Sequence, residues 1–315
     1  GRSACPEHQT PRSSPLSVAS IAGPRVAHDG PPPSVIVMTQ ATAGPLAEID
    51  SWPGTVAAAA LRSDGTVIHR GDIERVFDLA SVTKLATAMT LLVAHEEGTL
   101  TLDEIEPHTG ATVADVLAHA SGVGFDTHDL VHRPRHKRLY SSVGYDLLAD
   151  LLAARAHMPF VEYLRLAVAR PLGMTTFSLD GSAGAGGRGS VADLLRLTAA
   201  WRTPTLIHDS TLQRACTTHL PELDGVVPGF GHHSPNPWGL GPEKRGHKSP
   251  HWTAQGNSPE TYGHFGRAGT MLWIDPRASV TLIALSTEPF GPWATTAWPL
   301  LSERVLAWTT SRKHG

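Results

Sequence analysis

The spacing of apolar and polar residues divides the chain into strand-like segments near both ends and helix-like segments between them. TVAAAALR and TVIHR flank a Ser63-Asp64-Gly65 turn and predict a strand hairpin, which RVFDLA follows as a third short strand. Near the other end, GTMLWI and SVTLIALS flank the turn DPRA and predict a second hairpin. The run LLSERVLAWTT then predicts a closing helix.

The middle of the chain has helical periodicity. A long helix is predicted to open at Ser81, because VTKLATAMTLLVAHEE has helical spacing and ends in a Gly that can terminate it. Thr112 and Asp115 have the spacing of a capping box, and the Ser-Gly pair that follows would stop this short helix. Further helices are predicted over residues 144–156, 159–169, 191–201 and 210–218.

These elements predict an α/β (α+β) fold, with an antiparallel sheet assembled from both ends of the chain, flanking terminal helices and an inserted all-helical lobe. Residues 1–50, rich in Pro, Ser, Gly and Ala, are expected to form an extended or poorly ordered N-terminal arm. Residues 203–259 are expected to form a long loop region around one short strand, bordering the active site. The lobes are assigned to residues 51–81 with 260–315 for the sheet, and 82–202 for the helices.

Composition narrows the choice of partners. The chain has 315 residues, 41% of them hydrophobic, which suits one globular domain or two interleaved lobes. A net charge of -3 offers no bulk attraction for nucleic acid or an anionic membrane. Cys5 and Cys216 are the only cysteines, and we expect no structural disulfide between them. The expected partner is a small molecule, and the oligomeric state stays open.

Location is predicted from the absence of membrane and export signals. No run approaches 18 apolar residues, so no membrane-spanning segment is expected. The opening GRSACPEHQTPRSSP lacks the charged-then-apolar pattern of a signal peptide, which favours a cytoplasmic location. Because the chain does not begin with Met, export with a removed signal is the alternative.

A candidate nucleophile stands where the strand pattern changes to a helical one. Ser81 and Lys84 are three positions apart, so their side chains would share one helical face. A serine needs a neighbouring base, and the helix N-terminus would help to stabilise negative charge. S-x-x-K alone is a common coincidence, and its ordinary interpretation is a capping serine beside a surface lysine. Two further motifs change that balance.

Tyr140-Ser141-Ser142 and then His264-Phe265-Gly266 follow Ser81 and Lys84 along the chain. With Ser81 and Lys84, they make the chain similar to the penicillin-recognising serine hydrolases. Their S-x-x-K, Y-x-N and K/H-x-G motifs recur in class C β-lactamases, D-alanyl-D-alanine carboxypeptidases and family VIII esterases. FDLASVTK, LAHASGV, RPLGMTTF, GSVADLLRL and HFGRAGTMLWIDP extend the resemblance over about residues 52–310. The resemblance implies a β-lactamase/transpeptidase-like fold.

The resemblance also implies a catalytic role for each matching residue. Ser81 would be the acylated nucleophile, Tyr140 the general base, and Lys84 a proton relay. A phenol titrates near about 10, so Tyr140 would need nearby cations to lower its pKa, and Lys84 and His264 are the candidates. The backbone N–H groups of Ser81 and Arg267 would form the oxyanion hole.

Three positions within these motifs affect substrate choice. Gly266 would leave room for substrate along the strand edge. Ser142 stands where most relatives have an Asn that grips an amide carbonyl, which makes amide substrates less suitable; a helix cap is its other interpretation. His264 replaces the Lys of β-lactamases, so its charge would depend on pH in the neutral range, and strong β-lactamase activity is not expected. For His264 a structural imidazole is the rival role.

The remaining histidines do not predict a metal site. His232, His233, His247 and His251 cluster in the long loop, but no pair has helical ligand spacing with acidic support. No metal or cofactor is expected. Trp238, Trp252 and His251 are interpreted as cleft walls or as loop anchors.

The sequence thus predicts a serine hydrolase that forms an acyl-enzyme at Ser81, most consistent with an esterase acting on a small ester or acyl compound. An acyltransferase or peptide cyclase, a D-alanyl peptidase and a weak β-lactamase share the first half-reaction and stay open. A non-catalytic ligand-binding or sensor protein on the same fold is the rival of another class.

Overall fold

A seven-stranded sheet runs through the computed structural model, which describes residues 38–40 and 44–310. Across the sheet the order is β1-β3-β2-β12-β11-β10-β9 with the strands numbered along the chain, and two small sheets hold the others. The strands are β1 (Met38–Gln40), β2 (Val56–Arg62), β3 (Val67–Arg70), β4 (Phe77–Asp78), β5 (Ser178–Leu179), β6 (Gly187–Gly189), β7 (Gly225–Val227), β8 (Gly231–His233), β9 (Glu243–Lys244), β10 (Tyr262–Gly266), β11 (Thr270–Asp275) and β12 (Val280–Ser286).

The two ends of the chain meet in the centre of this sheet. Strand β12 pairs antiparallel with β2 along seven residue pairs, including Ile283 opposite Ala59. Both predicted hairpins are present, as β2–β3 and β11–β12. The predicted antiparallel sheet assembled from both termini is therefore confirmed, with one addition: β1 joins the edge of the sheet parallel to β3.

In the described part of the chain, six α-helices lie between the two halves of the sheet, and a seventh follows the last strand. They are α1 (Thr83–Glu96), α2 (Val113–Leu117), α3 (Val143–Ala156), α4 (Phe160–Leu164), α5 (Val191–Arg202), α6 (Asp209–Cys216) and α7 (Pro292–Thr310), and one π-helical turn, Arg165–Ala169, continues α4. The predicted capping box is present, because Thr112 accepts from the Asp115 N–H at 3.1 Å and the Asp115 carboxylate accepts from the Thr112 N–H at 3.3 Å. Ser190 caps α5 by accepting from the Asp193 N–H at 3.2 Å.

Two predicted boundaries are wrong. Ser81 lies in a short 3-10 turn, Ala80–Val82, and α1 begins only at Thr83. The closing helix begins at Pro292, before the predicted segment LLSERVLAWTT. Its first turns carry Trp and Ala residues that pack on the sheet in an irregular pattern, so the sequence did not predict this start.

The predicted long loop has more regular structure than expected. Besides α6, which lies close to the helix predicted over 210–218, residues 203–259 contain three strands, β7, β8 and β9, where one was expected. Strand β9 extends the main sheet by pairing with β10, with Glu243 opposite Gly263. These strands are two or three residues long, too short for a periodic pattern, and they form because longer neighbours provide the pairing partners.

The two faces of the sheet pack against different helices. On one face Ala59, Leu272 and Ile283 pack with α1 and α5, and on the other Ala58, Trp273 and Leu282 pack with α7. This alternation is the period of two that a strand imposes on its side chains. Helix α1 is buried on every side from Thr83 to Ala94, so it forms the centre of the molecule.

The folded region starts earlier than residue 51, which is a correction to the predicted arm. Residues Ala47–Ser51 form a 3-10 helix, and Leu46 and Ile49 are buried against the α7 side of the sheet. The rest of the predicted arm, residues 1–37 and 41–43, lies outside the described residues, as does Cys5.

Two features bear on location and covalent structure. Within residues 38–40 and 44–310, no helix combines the length and apolar character needed to cross a membrane. In the same part of the chain Cys216 is a free thiol, and burial raises its pKa to about 11.

Replacing Leu46 by Ala tests whether this early segment belongs to the core. Leu46 is fully buried, so Leu46→Ala should lower the free energy of unfolding by about 2–5 kcal/mol. Leu300→Ala is the matched control, because Leu300 is 42% exposed and its loss should cost less than about 1 kcal/mol. Urea unfolding followed by circular dichroism measures both, and equal losses would show that the segment is not part of the core.

Candidate active site

Ser81 lies on a tight turn that the sheets hold in place. The carbonyl of Leu79 accepts from Thr270 Oγ1 at 2.9 Å, and the Leu79 N–H donates to the Gly187 carbonyl at 2.9 Å. Ala80, directly before Ser81, has a φ of 44°, a left-handed conformation that is strained for a residue with a β-carbon. The fold therefore imposes the turn that presents Ser81 to the cleft.

Lys84 is a fully buried amine in contact with Ser81. Its Nζ lies 2.7 Å from the Gly184 carbonyl oxygen, 3.0 Å from Ser142 Oγ and 3.4 Å from Ser81 Oγ. Burial lowers the pKa of Lys84 to about 7, while the charge of Asp146 acts in the opposite direction. A large fraction of the protein therefore carries Lys84 as a neutral amine at neutral pH.

Tyr140 packs over this amine, with its ring centroid 4.7 Å from Lys84 Nζ. Burial raises the pKa of Tyr140 well above its usual value, and a hydrogen bond with Ser81 offsets this only in part. The expectation that neighbouring cations lower the Tyr140 pKa is therefore wrong for this protein. The physical reason is that the site is dry and Lys84 is itself close to neutral, so little positive charge is present to stabilise a phenolate.

His264 is also neutral. Burial and Lys84 lower its pKa to about 3, and its Nδ1–H donates to the Phe265 carbonyl oxygen at 2.7 Å. The expectation of a charge that changes in the neutral range is wrong, because the ring is 2% exposed. Its Nε2 has no hydrogen-bond partner within the described part of the chain, which leaves one acceptor beside Tyr140.

Ser142 and Gly266 make contacts that the sequence did not predict. Ser142 precedes α3 without a capping bond from its side chain, and its Oγ accepts from Lys84 instead. A β-carbon at Gly266 would clash with the Leu79 carbonyl and lie 2.5 Å from Thr270 Oγ1. The absence of a side chain at Gly266 thus allows β10 to pack against the turn that carries Ser81, and the expectation that Gly266 makes room for substrate stays a prediction.

Arg267 follows β10 at the edge of the cleft, where its side chain is exposed. Its carbonyl accepts from the Phe290 N–H at 2.9 Å, which ties this edge to the segment before α7. The oxyanion hole of Ser81 and Arg267 N–H groups stays a prediction.

Ser81, Tyr140, Ser142, His264 and Arg267 line one cleft of about 540 Å³. Its other walls are mainly aromatic and apolar, formed among others by Phe125, Val143, Pro228, Trp238, Phe265 and Phe290. Trp238 is therefore a cleft wall, as one of its two interpretations proposed. The sequence did not single out Phe125 or Phe290, whose isolated positions in loops have no motif around them.

His251 and Trp252 are loop anchors. They donate to the buried carboxylate of Glu243, at 3.1 Å from His251 Nε2 and 2.8 Å from Trp252 Nε1, and Lys248 forms an ion pair with the same group. Burial lowers the pKa of His251 to about 4. Within residues 38–40 and 44–310, no group of three or more His, Cys, Asp or Glu side chains is arranged to hold a metal ion.

His119 was missed by the sequence analysis. Its ring lies 4.5 Å from that of Tyr140 and 4.6 Å from that of Trp238, and its Nδ1 accepts from the Ser141 N–H at 3.2 Å. Burial holds the pKa of His119 far below its usual range, so the ring is a neutral support behind Tyr140. It falls inside LAHASGV, a segment that carried only family resemblance.

A serine and a buried lysine under a tyrosine, on a sheet with an inserted helical lobe, define the penicillin-recognising serine hydrolases, and the predicted fold is confirmed. Residues 54–305 match the family described as Beta-lactamase, and the chain belongs to that family.

Solved structures show how widely this fold is shared. The chain is 42% identical to a beta-lactamase (Mb2281c) from Mycobacterium bovis, covering 84% of this chain and 99% of that one with a TM-score of 0.82. EstCE1, a hydrolase with promiscuous acyltransferase activity, is 17% identical with a TM-score of 0.69, covering 82% and 95% of the two chains. Simvastatin synthase (LovD) from Aspergillus terreus is 15% identical with a TM-score of 0.71, covering 85% and 96%. The last two comparisons show the fold alone.

A curated penicillin-binding protein of Bacillus subtilis (strain 168) is 26% identical over 132 residues. The match covers 31% of this chain and 29% of that protein, so it supports the family and leaves most of the relative unmatched.

The Lys84 pKa predicts how reaction at Ser81 varies with pH. Below about 7 the amine is protonated and cannot accept the Ser81 proton, so the rate of covalent labelling by a fluorophosphonate should rise with pH through about 7. Lys84→Met should label at least about 100-fold more slowly at every pH, since general-base catalysis contributes factors of this size.

His264→Gln is the control for this profile. Because His264 is neutral above a pKa of about 3, its replacement should leave the midpoint in place even if the rate changes. A wild-type midpoint near that of an ordinary lysine, or a midpoint that moves in His264→Gln, would contradict the assignment of the pH dependence to a Lys84 with a lowered pKa. Intact-protein mass spectrometry measures the labelled fraction with time.

Proposed function

We propose that this protein is an esterase that hydrolyses small, uncharged esters with an apolar acyl group, through an acyl-enzyme at Ser81. The carrying observation is the geometry around Lys84. A neutral amine has two N–H bonds and one lone pair, and two of its three contacts are good hydrogen-bond acceptors, the Gly184 carbonyl and Ser142 Oγ. The lone pair is left for the third contact, Ser81 Oγ, at 3.4 Å.

The acylation step follows from that arrangement. The Ser81 Oγ attacks the ester carbonyl carbon while its proton passes to Lys84 Nζ, which becomes an ammonium. Negative charge forms at the same time on the carbonyl oxygen, so a buried ion pair is created only in the transition state. The C–O bond to the alcohol then breaks, and the departing oxygen takes a proton from the Tyr140 hydroxyl, which is replenished by Lys84.

Deacylation repeats these steps with water. Water attacks the acyl carbonyl, its proton passes through Tyr140 to Lys84, and the Ser81 Oγ leaves and takes that proton back. Since the raised pKa of Tyr140 keeps its hydroxyl protonated, we assign Tyr140 to proton transfer and Lys84 to the base. The backbone N–H groups of Ser81 and Arg267 are assigned to the oxyanion, because the fold holds both at the cleft edge.

Charge and contacts at the cleft favour an ester over a β-lactam. Ser142 is occupied by Lys84, so it is poorly available to grip an amide carbonyl. His264 is neutral and cannot pair with the carboxylate that β-lactams carry. Among the described residues that line the cleft, Arg267 is the one cationic side chain, and Asp126, Asp146 and Glu243 are acidic. The aromatic walls provide a suitable surface for an apolar acyl chain.

Acyl transfer is the second candidate. The cleft is open to solvent at its aromatic rim, where Phe125 is 45% exposed, so an alcohol or amine could approach the acyl-enzyme in place of water. The structural neighbour EstCE1 is described as a hydrolase with promiscuous acyltransferase activity. Adding ethanol or an amine during turnover and measuring the ratio of transfer to hydrolysis product would separate the two.

The first test is covalent chemistry at Ser81. Wild type exposed to p-nitrophenyl butyrate should release p-nitrophenol, and exposure to a fluorophosphonate should add one label seen as intact mass. Both should be lost in Ser81→Ala, because Ser142, the other serine in contact with Lys84, accepts a hydrogen bond from the amine at 3.0 Å and lies before α3, away from the turn that carries Ser81. Ser63→Ala, in the exposed β2–β3 turn, is the matched control and should behave as wild type. An unlabelled and inactive wild type would favour a ligand-binding protein on the same fold.

A second test compares two esters of equal carbon-chain length, one ending in a methyl group and the other in a carboxylate. The kcat/KM for p-nitrophenyl valerate should exceed that for the mono-p-nitrophenyl ester of glutaric acid by at least roughly tenfold, since a carboxylate would meet the acidic lining without a buried cation to pair with. Nitrocefin should be turned over more slowly still. Equal rates for the two esters, or faster turnover of nitrocefin, would show that the cleft accepts anionic substrates.

A further inference from the structure

The loop of residues 182–184 supplies one of the hydrogen-bond partners of Lys84. Gly184 accepts from Lys84 Nζ through its carbonyl at 2.7 Å, and its α-carbon packs so tightly on Ser142 that a β-carbon would lie 2.8 Å from the Ser142 carbonyl oxygen. On the other side, Thr87 of α1 donates to the Ala183 carbonyl at 2.6 Å. The loop is thus held between α1 and the start of α3.

Asp146, one turn into α3, fixes the same loop. Its Oδ1 accepts from Ser182 Oγ at 2.8 Å and from the Gly184 N–H at 3.4 Å, and Ser182 Oγ in turn accepts from the Gly184 N–H at 3.0 Å. The Asp146 carboxylate thus accepts two hydrogen bonds from one short loop, from Ser182 and from Gly184, and so holds the loop in place. We call this arrangement the clamp. Since the clamp ends on Gly184, its carbonyl is held toward Lys84.

The charge of Asp146 also differs from everything else that faces Lys84. The titratable groups packed around the amine are His119, Tyr140, Tyr145, Asp146 and His264. Burial raises the pKa of both tyrosines and lowers the pKa of both histidines, so these four are neutral near pH 7. Among the described groups that act on Lys84, the Asp146 carboxylate is therefore the charged one.

We propose that Asp146 is a positioning residue for Lys84: it holds the Gly184 carbonyl against the amine through Ser182, and its charge sets the pH range in which Ser81 is acylated. This inference rests on the proposed function of Lys84 as the base. Asp146 acts through other residues and takes no part in bond making. It deepens the assignment by explaining why a base in so dry a place still titrates near neutrality.

Asp146→Asn tests the charge. Asn keeps an oxygen that can accept from Ser182, but it removes the negative charge, so the labelling profile of Ser81 should move to a midpoint lower by roughly one pH unit. Asp150→Asn is the matched control, because Asp150 lies one turn further along α3, is exposed and makes the same change of charge. Its midpoint should equal that of wild type.

Ser182→Ala tests the clamp. The charge stays and one donor is lost, so the midpoint should stay near that of wild type while the plateau rate falls by about fivefold, the equivalent of one hydrogen bond. An unchanged midpoint in Asp146→Asn, or equal shifts in Asp146→Asn and Asp150→Asn, would overturn the electrostatic role. A wild-type plateau in Ser182→Ala would overturn the clamp.

A readout independent of catalysis separates this inference from the proposed function. Titration of the lysine Nζ signals by NMR, with Lys84 assigned from its absence in Lys84→Met, gives the pKa of the amine directly. If Ser81 is never labelled but the Lys84 titration still moves down in Asp146→Asn, the positioning role stands and the esterase proposal fails. If labelling is normal and the Lys84 titration does not move, the positioning role fails alone.

Discussion

Burial of one lysine amine is the constraint on which the site depends. Lys84 is on α1, the helix that the sheet and the other helices enclose on every side, so its side chain cannot reach solvent. A fall in pKa from 10.5 to about 7 corresponds to roughly 5 kcal/mol against the charged form. That is comparable with the whole stability of a small domain. The interior is therefore built for a neutral amine.

The same burial keeps Tyr140 and His264 neutral and leaves Lys84, with a pKa of about 7, only partly protonated near neutral pH. Tyr140 keeps its proton and His264 lacks one, both because charge is costly at their positions. In the proposed mechanism the reactive form has a neutral Lys84, and charge appears during reaction, as an ammonium at Lys84 and an oxyanion at the substrate. In a dry cleft this pair attracts strongly, so the environment that disfavours an isolated Lys84 cation favours the transition state that contains it.

The sequence predicted those parts of the fold that depend on interactions between residues close together in the chain. Period-two runs around tight turns identified the hairpins, and the Thr112 capping box identified the start of α2, because each depends on residues a few positions apart. The order of the three motifs pointed to Ser81, Lys84 and Tyr140 as candidates, and the structure brings these three side chains together. The protonation states were out of reach, since they follow from burial. The role of Gly266 was also out of reach, because it depends on the carbonyl of Leu79, far away in the sequence.

Long-range pairing also explains why residues 203–259, predicted as a long loop region bordering the active site, carry more strands than expected. Glu243 joins the main sheet opposite Gly263, next to His264, and its carboxylate binds Lys248, His251 and Trp252 in the interior. Breaking such a group would leave charges buried without partners, which costs several kcal/mol. Trp238 is carried by the same segment and packs on His119 and Tyr140. The aromatic wall of the cleft is thus fixed to the strand that borders Ser81, so in the proposed mechanism substrate selection and proton transfer depend on the same rigid part of the fold.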